Sequence, residues 1–187
     1  MPRRWKSLLL VPVLSALLLT SCDPGAPGAA LDSPTAPSLT ESLGDYTLVQ
    51  AAPLSSLLQT VQLIGPGGGS LSLAGHALTV PAGAVSAPTL FSMAQLPNGL
   101  IEVELTAVRI TASGVLDIGS GGFLDNETVG VTLSYDAATN VSDPSRLVVL
   151  RMLGDDQVEE IPTTVDEGGE TVHVELEHFS RYAMAID

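Results

Sequence analysis

The chain has 187 residues, with 21 acids against 7 lysines and arginines, giving a formal charge of −14 at neutral pH. That balance excludes nucleic acid as a partner, because phosphate neutralisation needs basic patches, and it argues against electrostatic docking on anionic lipid. A single cysteine, Cys22, excludes disulfides and Cys-built zinc sites, and an aromatic content of 4% argues against a stacking platform for sugars or single strands.

In chain order, the first segment reads as a leader. Arg3, Arg4 and Lys6 precede an apolar run of twelve residues, Leu8 to Leu19, closed by Thr20 and Ser21. A basic start, a short apolar core and a small-residue end are the marks of a secretory signal. The run is shorter than the roughly 20 residues a spanning helix needs. Loss of residues 1–21 removes three cations and no acid, which takes the charge from −14 to −17 and leaves four arginines and no lysine. Residues 22–44 are rich in Pro, Ala, Ser and Gly without apolar periodicity, the composition of a tether. As a coil it spans about 25 Å, and in extended polyproline form about 70 Å.

Residues 45–187 form one domain's worth of chain. Leu54 to Leu63 reads as a short helix or a strand. Val61 to Ile64 stops at the turn Gly65-Pro66-Gly67-Gly68-Gly69, and Ser70 to Leu73 and Ala77 to Val80 follow. Thr89 to Ala94 is next. The longest run, Ile101 to Ala112, changes phase at Thr106-Ala107, which predicts a bulge or bend. Val129, Val131 and Leu133 alternate, Leu147 to Leu153 is followed by Val158 to Ile161, and Val172, Val174 and Leu176 alternate before Tyr182 to Ile186. Val165 to Glu170 is a hairpin loop. Many short strands separated by turn signals predict an all-β sandwich of mainly antiparallel strands.

Leu19-Thr20-Ser21-Cys22 resembles the lipobox of bacterial lipoproteins. The resemblance implies cleavage before Cys22 and a diacylglyceryl group on its sulfur. Two or more acyl chains anchor a protein firmly where one does not. The expected location is the extracytoplasmic side of the cell envelope, with the membrane as a partner through lipid on Cys22.

Gly67-Gly68-Gly69-Ser70-Leu71-Ser72-Leu73 and Ala77-Leu78-Thr79-Val80-Pro81-Ala82-Gly83-Ala84-Val85 resemble the opening of the ZU-five domain of ankyrins and netrin receptors. Leu133-Ser134-Tyr135-Asp136, Leu147 to Leu153, Glu160-Ile161-Pro162-Thr163 and His178-Phe179-Ser180-Arg181-Tyr182-Ala183 are similar to the second half of bacterial ZU-five-like modules. The likeness covers roughly residues 60–187. It implies a β-sandwich that serves as an interaction or scaffold module, with an envelope protein as partner.

In the death-domain relatives of that family, and in the function-to-find domains of inflammasome sensors, a His-Phe-Ser tripeptide cuts itself between Phe and Ser. The resemblance implies Ser180 as a nucleophile on the Phe179 carbonyl and His178 as its base. An acyl shift from nitrogen to oxygen would be followed by hydrolysis of the ester. A strained peptide bond there would assist. The competing expectation is packing: His178 bonded to a loop, Phe179 in the core and Ser180 opening the last strand.

Other sites are weaker. His76 is expected exposed in a Gly-His-Ala turn, and His173 is expected to face solvent between Val172 and Val174. Three histidines without ligand spacing make no zinc site. Gly65 to Gly69 lacks the Gly-Lys-Ser/Thr ending of a phosphate loop. Asp155-Asp156 and Asp166-Glu167 are loop acids that could take calcium, without the spacing of an EF-hand loop. No cofactor is implied. The expectation is a non-catalytic module on a lipid anchor. The alternatives are a self-cleaving domain and a calcium- or small-ligand-binding lipoprotein.

Overall fold

The computed structural model describes residues 42–121, 123, 127–154 and 157–187. The leader and nearly all of the tether, Cys22 included, lie outside them, as does Asp155-Asp156. Short alternating segments between turn residues produce fourteen strands among the described residues. In chain order they are β1 (Ser42–Leu43), β2 (Tyr46–Leu48), β3 (Leu58–Ile64), β4 (Gly69–Leu73), β5 (His76–Val80), β6 (Thr89–Gln95) and β7 (Glu102–Thr111). Then follow β8 (Gly114–Asp117), β9 (Val129–Ser134), β10 (Leu147–Gly154), β11 (Gln157–Ile161), β12 (Thr163–Asp166), β13 (Thr171–Leu176) and β14 (Arg181–Ile186). Leu54 to Leu63 thus resolves as a strand from Leu58 onward. Ser42–Leu43, read from sequence as the end of the tether, pairs with Tyr46 and Thr47.

The strands build two antiparallel sheets, a β-sandwich. The spine of the first is β11-β10-β14-β7-β6-β3, with β2 beside the end of β14, β1 beside β2, and β8 beside the end of β7. The second is β12-β13-β9-β5-β4. The chain crosses between sheets at both lateral edges: β3 turns into β4 on one side, and β11 passes through Pro162 into β12 on the other.

Alternation sorts side chains between faces. Phe91, Met93, Val103 and Leu105 of the first sheet share a core with Leu78, Val131, Leu133, Val172 and Val174 of the second. β10 and β14 are apolar on both faces, because the first sheet has a second cluster on its outer side. The Val149–Met184 pair belongs to the main core, while Val148–Ala185 and Leu150–Ala183 join Leu43, Leu48 and Leu100 outside. That double burial explains the unbroken apolar run Leu147-Val148-Val149-Leu150.

The turns of the first crossover are locked together. Gly68 has φ of 77°, and a Cβ there would stand 2.6 Å from the Val80 carbonyl oxygen, so only glycine fits. Gly83, at φ 96°, follows the strand-ending Pro81 and donates its N–H to Pro66 O at 2.9 Å.

Two sequence expectations fail. β7 has no bulge against β6: the register is continuous from Leu90–Val108 to Gln95–Val103. The change of apolar phase has another cause. Val103, Leu105 and Ala107 face the core, whereas Ile110 lies on the opposite face, 72% exposed. A register shift occurs instead in the β10–β11 pair, between Met152 and Gly154. His76 is not an exposed turn residue. Leu73 pairs directly with His76 around Ala74 (φ 49°) and Gly75 (φ 85°), a two-residue turn with both central residues left-handed. His76 therefore opens β5 in phase with Leu78 and Val80, and is 3% exposed.

Candidate functional site

The linker between β13 and β14 carries His178, Phe179 and Ser180. Phe179 fills the core, edge-on to Phe91 at 5.8 Å and to Phe123 at 5.0 Å, and its N–H donates to Gly119 O at 2.8 Å. The Ser180 hydroxyl donates to Met152 O at 3.2 Å, and Ser180 O accepts from Leu105 N at 3.0 Å. The His178 carbonyl accepts from the Tyr182 hydroxyl at 2.7 Å, and burial pushes that phenol up to about 12. His178 Nδ1 is buried without a hydrogen-bond partner among the described residues.

The two side chains that self-cleavage needs together line different clefts. His178 lines a cleft of about 590 Å³ with Arg151, Glu159, His173, Glu175 and Tyr182. Ser180 lines a different one, of about 480 Å³, with Glu104, Asp117 and Arg181. Among the described residues no hydrogen bond joins His178 to Ser180, and the serine proton is committed to Met152 O. Among the described residues, the left-handed residues other than glycine are Ala74 and Glu170, both outside this linker.

The remaining histidine and acids are held by local bonds. His173 faces solvent as expected, with Nε2 2.9 Å from Glu175 Oε1. Glu175 also accepts from Thr128 at 2.7 Å, and these bonds, Thr128's foremost, lower its carboxyl below the usual range. Asp166 Oδ1 caps its own turn, accepting from Gly168 N and Gly169 N at 3.1 Å each. Among the described residues, no three His, Cys, Asp or Glu converge in an arrangement that could hold a metal ion. Among the described residues, Arg146 pairs with Asp187, Arg151 with Glu159 and Arg181 with the buried Glu102.

What the motif search missed is a region defined by missing charge. From Tyr46 to Ile101 the sequence contains no Asp, Glu, Lys or Arg. Folding brings the four strands within residues 58–95 to one lateral side: β3 is the edge of the first sheet and β4 the edge of the second, backed by β6 and β5. The opposite side carries Glu159 and Glu160 on β11, Asp166 on β12, and Pro162 between them. Proteins commonly blunt free strand edges with charge and proline. This sandwich does so on one side only.

The unblunted side is apolar on its outer face and polar in its gap. Val61 and Leu63 stand 55% and 62% exposed on β3. Leu63 lies beside Leu90 of β6, which lies beside Val108 of β7. Between β3 and the β4–β5 hairpin runs a groove of about 370 Å³ lined by Thr60, Gln62, Ser70, Ser72 and Thr79. Hydroxyls, an amide and unpaired backbone are what an added strand bonds to. A scan of the acid positions along the sequence would have found this side.

No protein-family model and no curated protein matches the chain. Fold and site therefore define a class only: an all-β sandwich with one charged lateral side and one uncharged.

Proposed function

We propose that this protein is a non-catalytic interaction module, carried on the extracytoplasmic side of the envelope by lipid on Cys22 and docking its partner along the β3–β4 side. The observation that carries the reading is the pair of uncharged strand edges, free among the described residues, in a chain otherwise crowded with acid. A free edge recognises an extended partner through main-chain hydrogen bonds, with outer side chains such as Val61 and Leu63 adding specificity. The tether lifts that edge clear of the lipid headgroups. Against self-cleavage stand the different clefts that His178 and Ser180 line and the bond from Ser180 to Met152 O.

The test is the size of the full-length protein in gently solubilised membranes. The wild type is expected in a complex larger than one chain, and Val61→Lys as a single chain. Glu159→Lys, on the opposite side, is expected to leave the complex intact. A wild type that runs as a single chain rejects the reading. Cys22→Ala is expected to release the protein from the membrane fraction, and intact mass of the wild type to report a lipidated chain that starts at Cys22 and retains residues 180–187. Loss of residues 180–187 in the wild type but not in Ser180→Ala would replace the reading by self-cleavage.

A further inference from the structure

From the charge-free edge we infer that its occupant is a second copy of this chain, joined through β3 to β3 about a two-fold axis; this rests on the docking reading above. Charge argues for the identity of the partner. Two copies of a chain with net charge −14 repel wherever their acids face each other. On the β11–β12 side a two-fold contact would set Glu159, Glu160 and Asp166 against their own copies. On the β3 side the strands β3, β4, β5 and β6 bring no charged side chain to the contact, because the whole stretch 46–101 lacks Asp, Glu, Lys and Arg. A cationic partner gains nothing at this edge and would be drawn to the acidic sides instead. An uncharged edge on an acidic protein is matched by the same edge on another copy.

The strand's own sequence supports a self-complementary contact. Leu58-Gln59-Thr60-Val61-Gln62-Leu63-Ile64 has seven residues, no proline and no charge. An antiparallel pair centred on Val61 sets Val61 against Val61 and Gln59 against Leu63 on the outer face. On the inner face it sets Thr60 against Gln62, hydroxyl to amide. The contact closes on itself, as a two-fold interface must. It also continues both first sheets into one and lengthens the outer apolar row that runs through Leu63, Leu90 and Val108. Unpaired backbone groups along each edge then find partners.

The experiment places a photoreactive benzoylphenylalanine at position 61 of the full-length protein in its own envelope, with a second probe at Thr164 on β12. Illumination is expected to give, from position 61, an adduct of two chains whose joined peptides both contain residues 58–64. Position 164 is expected to give no such adduct. An adduct from position 61 to a different protein overturns the second copy as occupant while the docking reading stands. No adduct from position 61 overturns both. In detergent, the wild type is expected to dimerise more tightly as salt rises, since screening weakens acid–acid repulsion. Val61→Lys is expected to weaken the dimer by about tenfold or more, since it sets like charges opposite each other across the two-fold. Val61 is exposed, so that variant keeps its melting midpoint within about 4 °C of the wild type at dilutions where both are single chains, and a dimer unaffected by it rejects the β3 contact.

Discussion

His76 accepts the Ser134 N–H through Nδ1 at 3.1 Å, which requires a neutral ring with its proton on Nε2. Burial lowers its pKa, and the Asp136 carboxylate only partly opposes that. The unfolded chain, with histidine near its usual value of about 6.5, therefore binds a proton more readily than the folded one. Stability is full above that value and falls as pH drops through it, until the lower folded pKa is passed. The slope is at most about 1.4 kcal/mol per pH unit for one proton. Urea midpoints at pH 8 and pH 5.5 are expected to differ in that direction for the wild type. His76→Leu is expected to lose most of the difference, and to cost about 1–3 kcal/mol at pH 8 because the buried Ser134 N–H loses its acceptor. A midpoint that rises on acidification would refute the assignment. The burial was legible, since His76 falls two and four residues before Leu78 and Val80, but only once Ala74-Gly75 is recognised as a complete two-residue turn.

Most of the strands could be read from alternation, because a half-buried strand writes its two faces into consecutive letters: Val129, Val131 and Leu133, then Val172, Val174 and Leu176, all reach the core. β7 misled for the converse reason. Ile110 is apolar but faces outward beside Val115 of β8, so apolar character there does not report burial, and its change of phase imitates a bulge. β10 hid its orientation because both of its faces are covered. The β3–β4 crossover was legible in its letters, as a glycine-rich turn, but its closeness to Val80-Pro81-Ala82 was not, since that contact joins residues distant in sequence. It makes a sharp prediction. Gly68→Ala puts a methyl against the Val80 carbonyl and forces a left-handed φ on alanine, so it should cost at least about 1–3 kcal/mol in urea unfolding. Gly67→Ala, one position earlier, meets nothing within 4 Å and should cost much less. Equal losses at the two positions would show that the crossover is not packed as described.

Over the whole molecule the acids are unevenly placed, and the consequences for stability differ from those for association. One side holds the hairpins β10–β11 and β12–β13, with Glu159, Glu160, Asp166, Glu167 and Glu170, and among them Arg151 is the cation paired to Glu159. The strands β3, β4, β5 and β6 on the other side hold none. Like charges crowded on one side of a folded domain repel more than in an open chain, so screening should stabilise the fold. Raising ionic strength from about 0.01 M to 0.1 M shortens the screening length from about 30 Å to about 10 Å. Stability is expected to rise over that range, by about 1 kcal/mol if two or three exposed like-charge contacts of a few tenths each are relieved. Folding must be measured apart from association, which also gains from salt and adds apparent stability by mass action. Val61→Lys serves as the background for that reason. Glu167→Gln in that background removes one acid of the β12–β13 turn and should raise stability at low salt while shrinking the gain from added salt. A salt response unchanged by Glu167→Gln would place the repulsion elsewhere on the acidic side, and a stability that falls with salt would mean that the ion pairs of Arg146, Arg151 and Arg181 outweigh it.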